Sequence, residues 1–193
     1  MKELAPDWLR ETVNIGAGHA AQALSELLGV RVDIEVPRVY WGSLEEAAEA
    51  LDGSQEPCVG VNFKVFGDLK GKALLYYPME EVSSLLRRLG LPESLDDSVS
   101  KSAVAESSHI VVGAFLSATA DFLGVKALVG VPRLQIFPEL GLIRAWLGEG
   151  EGEFLGAKVS MRVAEGPITT SLIYSPAAEA LELITKKLKE MLS

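Results

Sequence analysis

Apolar side chains recur at helical spacing through residues 3–28 and stop at Gly29, a residue suited to closing a helix. The next segment, VRVDIEVP (residues 30–37), alternates as a half-buried strand does, and Pro37 ends it. SLEEAAEALDG (residues 43–53) predicts a short surface helix, with Ser43 and Glu46 at capping-box spacing. CVGVNFKVFG and KGKALLYYP read as two strands joined by a turn at Gly67-Asp68, and a helix over about residues 79–89 follows. The same order then returns: a helix near 97–123, strands near 125–131, 141–147, 154–164 and 168–175, and a closing helix near 177–192. Two sets of strands with their helices set apart predict an α+β layered fold, long helices packed on an antiparallel sheet.

The return is visible in the residues themselves. At a shift of 95, Asp7-x3-Glu11-x2-Asn14 lies over Ser102-x3-Glu106-x2-His109, Gly18 over Gly113, LLGV over FLGV (residues 27–30 and 122–125) and Pro37 over Pro132. At a shift of 98, LLYYPMEEVSSLLRRL (residues 74–89) lies over LIYSPAAEALELITKK (residues 172–187). An insertion of three residues accounts for the change. The chain therefore reads as a single domain of two repeats, 1–92 and 93–193, related by a pseudo-twofold axis.

Composition narrows the function classes. A formal charge of −9 leaves nothing to neutralise a run of phosphates, so nucleic acid is excluded as a partner class. Cys58 is the single cysteine, which rules out an intramolecular disulfide and favours the reducing cytoplasm. It sits in a core-strand pattern and reads as packing. MKELAPDWLRE lacks the apolar stretch of a secretory signal. The run Ile110–Ala120, broken by Asp121, falls short of the roughly 18 apolar residues of a membrane span, so no membrane insertion is expected. Two histidines and one cysteine cannot build a zinc cluster without several carboxylates, no helix pairs His at metal-ligand spacing, and the sequence neighbours Ser108 and His109 make a poor nucleophile and base. GEGEGE (residues 148–153) reads as a solvated turn without the alternating ligands of a calcium loop.

The opening segment offers two chemistries. Gly16-Ala17-Gly18-x-x-Ala21, with Glu35 further on, matches a dinucleotide fingerprint, but TVNI is too short for the strand that must precede it, and the second copy keeps only Gly113. Steps of four and three instead place Asp7, Glu11, Asn14 and then Gly18 on one stripe of a helix. A single wet stripe is ordinary. Its recurrence as Ser102, Glu106, His109 and Gly113 argues for a site.

With Pro37 after 22 intervening residues, the pattern Asp/Ser-x3-Glu-x2-Asn-x22-Pro resembles that of the CheC-type chemotaxis phosphatases, relatives of CheX and of the FliY switch protein. NIGAG (residues 14–18) and ADFLG (residues 120–124) are similar to CheC as well. The resemblance implies dephosphorylation of the response regulator CheY. Asn14 would orient the attacking water and Glu11 would pair with a lysine of the regulator. Asp7 and Ser102 would cap the helices or serve locally as polar groups, and Pro37 and Pro132 would shape the loops behind the site. The phosphatase needs no cofactor of its own, because Mg2+ is carried by the CheY substrate. In the second copy Ser102, Glu106 and Pro132 fit, but His109 stands where the family has Asn, which implies one competent site and a weak or silent second. A receptor deamidase, CheD, is the implied second partner, docking around Asp121 and Phe122. The rival reading is a non-catalytic adaptor that keeps the fold and binds CheD or a flagellar switch protein.

Overall fold

The computed structural model describes residues 7–43, 57–137, 146 and 153–192. In chain order these form α1 (Asp7–Leu28), β1 (Val32–Ile34), β2 (Arg38–Ser43), β3 (Cys58–Gly67) and β4 (Gly71–Pro78). A single 3-10 turn then leads into α2 (Val82–Arg88), followed by α3 (Ser98–Leu123), β5 (Ala127–Val129) and β6 (Arg133–Phe137). β7 (Glu153–Val163), β8 (Thr169–Pro176) and α4 (Ala178–Leu192) complete the described chain. The strands make one antiparallel sheet, with β1-β7-β8-β4-β3-β5 side by side, β2 continuing β1 along β7, and β6 continuing β5 along β3. The architecture is the α+β arrangement that the periodicity implies.

The two halves repeat at the level of strand register. Val32, Asp33 and Ile34 of β1 face Val163, Arg162 and Met161, and the equivalent residues of β5, Ala127, Leu128 and Val129, face Gly67, Phe66 and Val65. The halves meet where β4 pairs with β8. There Leu74 faces Ile173 and Leu75 faces Leu172, so each residue faces the counterpart of its neighbour at the shift of 98.

Two strands were not legible in the sequence. The strand expected over 30–37 is the shorter β1, with β2 starting beyond it after a break; that expected over 125–131 is the shorter β5, with β6 starting beyond it after a break. Both breaks have the same cause. From Ile34 to Arg38 the chain advances four residues while its partner advances three, from Met161 to Lys158. From Val129 to Arg133 it again advances four against three, Val65 to Asn62. The extra residue makes a bulge, and Pro37 and Pro132, which have no N–H to give a ladder, occupy the place where pairing is interrupted. Of the predicted surface helix over 43–53, Ser43 ends β2 and the rest lies outside the described residues. The predicted strand over 141–147, apart from Trp146, and residues 148–152 of the glycine–glutamate turn also lie outside them; Glu153 begins β7.

Alternation within each strand divides the core. Val59, Val61 and Phe63 of β3 and Ala73, Leu75 and Tyr77 of β4 join the main core under the helices. Cys58, Leu74 and Tyr76 turn to the other face, where they pack with Phe137 and Ile173. Both faces of β4 are thus covered, which explains the unbroken apolar run ALLYY. Cys58 is a packing residue, as its pattern implies.

α1 and α3 pack against each other over that sheet. The crossing is close: a Cβ on Gly16 would stand 2.6 Å from Thr119 Oγ1 and 2.7 Å from the Phe115 ring. This accounts for the first glycine of the suspected fingerprint, which lies inside a continuous helix and not in a strand-to-helix turn. α3 is long and apolar enough by composition to cross a membrane, but 50% of its most apolar window is buried inside the fold, as for a core helix.

Candidate functional site

On α1, Leu9, Val13, Ala17, Ala20 and Leu24 recur at steps of three and four and are buried. That choice of inward face turns Glu11, Asn14 and Gly18 outward, and all three are exposed. Asp7 opens the helix one turn before Glu11. At one helical turn apart, the side chains of Glu11 and Asn14 rise from neighbouring points, with Cβ atoms about 5–6 Å apart. Neither has a hydrogen-bond or ion-pair partner among the described residues. A Cβ on Gly18 would meet nothing within 4 Å, so the helix surface beside Asn14 is open to an approaching backbone. The result is an acid and a carboxamide, hydrated and unengaged, in front of a clear landing.

The stripe on α3 is laid out alike but is already engaged. Ser102 and Glu106 are exposed, Gly113 is open, and His109 is half-buried. The His109 ring stacks on Phe63 at a centroid distance of 5.9 Å and an interplanar angle of 20°. Its Nδ1 lies 3.9 Å from Glu106 Oε2, on a carboxylate whose side chain remains 67% exposed. The sheet position matching Phe63 in the first half is Val159, so the ring partner exists on one side only. Sequence reading missed Phe63 because nothing in a strand's alternation says which helix residue will lie above it.

The capping expectation for Ser102 is corrected by the structure. α3 starts at Ser98, and Asp97 is its N-cap, accepting from Ser100 N at 3.1 Å and from Ser100 Oγ at 3.2 Å. These bonds hold the Asp97 carboxylate below the usual range, the Ser100 amide contributing most. Ser102 therefore stands inside the first turns as a surface polar group. The signal for Asp97 was present in the sequence as Asp97-x-x-Ser100, ahead of an apolar run. Pro37 and Pro132 are half-buried at the two bulges. Asp121 is exposed in the last turn of α3, whereas Phe122 is half-buried and packs against the main core. Among the described residues no three His, Cys, Asp or Glu side chains are grouped to hold a metal ion.

Known proteins resemble the chain in sequence and in architecture. A family model described as the CheC-like family matches residues 5–40, the span that runs from ahead of Asp7 to beyond Pro37. The CheY-P phosphatase CheC of Bacillus subtilis (strain 168) is 34% identical over 142 residues, covering 70% of this chain and 68% of that protein. The chain belongs to the CheC-like family. Solved structures agree on the fold. FliY of Thermotoga maritima superposes with a TM-score of 0.72 at 19% identity, over 97% of this chain and 98% of that one. A chain of the CheX-CheY-BeF3-Mg+2 complex from Borrelia burgdorferi gives a TM-score of 0.57 at 17% identity, over 87% of this chain and 99% of that one.

Proposed function

We propose that this protein is a chemotaxis phosphatase that hydrolyses the aspartyl phosphate of a CheY-type response regulator, with Asn14 as the catalytic carboxamide and Glu11 as the docking acid. The observation that carries the reading is the exposed, unpartnered pair Glu11 and Asn14 beside the open Gly18, on a chain 34% identical to a CheY-P phosphatase.

The chemistry suits so sparse a site. An aspartyl phosphate is an acyl phosphate with a good leaving group, and the substrate regulator brings its own Mg2+. What remains is to hold a water in line with phosphorus, and positioning is the main contribution in phosphoryl transfer. A carboxamide both donates and accepts without changing charge, so Asn14 can bind the water through one atom and the phosphoryl surroundings through another. Glu11, one turn away, pairs with a lysine of the regulator. Truncating one member of such a desolvated pair costs about 2–5 kcal/mol. The protein acts as one domain of two repeats, 1–92 and 93–193, in the cytoplasm. Asn14 works in the first repeat, while Glu106 and His109 form a weak or silent second site. Asp121 and Phe122 are the docking point for a CheD-type deamidase.

The deciding experiment is phosphate release from a CheY-type regulator charged with acetyl phosphate, with and without the protein. Acceleration that Asn14→Ala removes is the expected result. An unchanged decay rate with binding still detectable would make the protein an adaptor.

A further inference from the structure

β1 lies at the edge of the sheet, and among the described residues no strand pairs with its outer side. Arg31 O accepts from Ala164 N at 2.9 Å, and Glu35 N donates to Ser160 O at 2.9 Å. Those two bonds fix residues 31, 33 and 35 as the ones whose backbone groups face β7, since the direction alternates along an antiparallel strand. The N–H and C=O groups of Val32 and Ile34 therefore point away from β7, and among the described residues nothing bonds to them. Between this edge and α1 lies an open groove of about 650 Å³, lined by Gly18, Ala21 and Gln22 on the helix side and by Val30, Val32 and Ile34 on the strand side.

Gly18 belongs both to the Glu11–Asn14 stripe and to the groove. Four residues of helix separate it from Asn14, so the groove opens roughly 6 Å from the proposed catalytic amide. Apolar surface continues past the groove: Ile34 is 41% exposed and Val36, in the bulge that follows, is 88% exposed. Val131, the counterpart of Val36, is 81% exposed, so the second half leaves the same position uncovered.

We propose that this edge is a second docking surface for the phosphorylated regulator, on which an extended segment of the regulator adds to β1 as a further strand and places its side chains in the groove. The proposal rests on the functional reading above for the identity of the partner. Area supports it, because Glu11 and Asn14 alone cannot hold a protein. A stable complex buries about 800 Å² on each side, over some 20–30 residues. A regulator seated on Asn14 already covers the mouth of the groove. Strand addition supplies affinity through main-chain bonds, while the alternate side chains select the partner. The edge is also short, bounded by Pro37, with charged pairs Arg31–Asp33 at 2.7 Å and Arg162–Glu35 at 3.8 Å beside it. Those features discourage indiscriminate pairing with other chains.

Ile34→Pro tests the idea, because it removes an N–H that points outward and leaves the β7 bonds of residues 33 and 35 in place. Ile34→Lys, which keeps the N–H but fouls the groove, covers the case in which the proline variant does not fold. Each variant should raise the apparent KM for the phosphorylated regulator by about tenfold or more, with kcat within about twofold, as expected for loss of uniform binding. Amide hydrogen exchange provides the direct readout. The Val32 and Ile34 amides should exchange rapidly in the free protein and slow when a beryllofluoride-charged CheY-type regulator is added, in the wild type and in Asn14→Ala alike. If those amides stay unprotected, or slow instead as the protein's own concentration rises, the docking proposal is overturned. If they are protected by the regulator while Asn14→Ala keeps full activity, the docking stands and the catalytic assignment falls.

Discussion

The imidazole of His109, at the α3 position that matches Asn14 of α1 at a shift of 95, lies almost parallel to the ring of Phe63, 5.9 Å away. A ring held against the sheet on one side and near Glu106 at 3.9 Å on the other has little freedom to reach a phosphoryl group. Asn14 has neither restraint. Asn14→Ala should therefore lower the regulator dephosphorylation rate by roughly 100-fold, the scale on which a misplaced reactant costs rate. His109→Ala should change it by less than about twofold, since removing a group that does not touch the reacting atoms leaves the transition state as it was. Stopped-flow phosphate release measures both. The opposite ranking of the two variants would transfer the active site to α3.

Gly16 and Gly18 should answer to alanine in opposite ways. Either substitution gains helix propensity of about 1 kcal/mol. At Gly16 the new methyl collides with Thr119 Oγ1, itself tied to Phe115 O at 2.8 Å, and with the buried Phe115 ring, so neither neighbour yields. Overpacking of this kind costs about 1–3 kcal/mol and outweighs the propensity. Gly18→Ala meets open space and should stabilise the fold while crowding the approach to Asn14. Urea denaturation orders them: Gly16→Ala below wild type, Gly18→Ala above it.

Much of this was written in the chain, and the part that was not has identifiable causes. The long helices and the two long hairpins followed from periodicity. The common stripe of Glu11 and Asn14 followed from their spacing, and its outward direction comes from the burial of Leu9, Val13 and Ala17 on the opposite face. β2 and β6 escaped because RVYWGS and RLQIF follow a proline closely, and a bulge leaves no mark in alternation, only in the register of the partner strand. The Phe63–His109 stack and the open side of Val32 and Ile34 depend on which elements lie side by side, information that a local pattern does not carry. The Ser102 capping expectation failed because the repeat was followed residue by residue into a helix that begins nearer to Asp97.

Asp97 should give α3 an acid-sensitive start. Its carboxylate is held below the ordinary value by the Ser100 amide, so the folded state binds the proton less readily than the unfolded chain does. The stabilisation is then fully present above the unfolded pKa of about 3.9 and is lost as the pH falls through the lower, folded value. Asp97→Asn keeps a capping oxygen but no titrating group, and should flatten the stability profile below pH 4 while leaving it nearly unchanged at neutral pH. Asp97→Ala should lower the melting temperature at both. Thermal unfolding by circular dichroism at pH 7 and pH 3 separates the three proteins; a steep acid decline persisting in Asp97→Asn would assign it to other carboxylates.

Tyr77 should produce the opposite dependence at high pH. Its side chain is fully buried between β4 and the helices, and burial pushes the phenol up from 10.0 to about 12, with Ser108 and Thr170 drawing it back only partly. Both of those hydroxyls already donate elsewhere, Ser108 Oγ to Val104 O at 2.7 Å and Thr170 Oγ1 to Tyr76 O at 2.8 Å. The Tyr77 hydroxyl itself makes no hydrogen bond within the described residues, so a phenolate there would be buried without a donor. Below pH 10 the phenol is neutral in folded and unfolded chains alike, and removing it in Tyr77→Phe should change stability by no more than about 1 kcal/mol. Between pH 10 and about 12 the unfolded chain gives up the proton and the folded one keeps it, so the wild type should lose roughly 3 kcal/mol across that window. Tyr77→Phe has no such proton to lose there and should decline less steeply. Urea midpoints at pH 8 and pH 11 make the comparison, and parallel losses in the two proteins would mean that the Tyr77 phenol is not the group resisting ionisation.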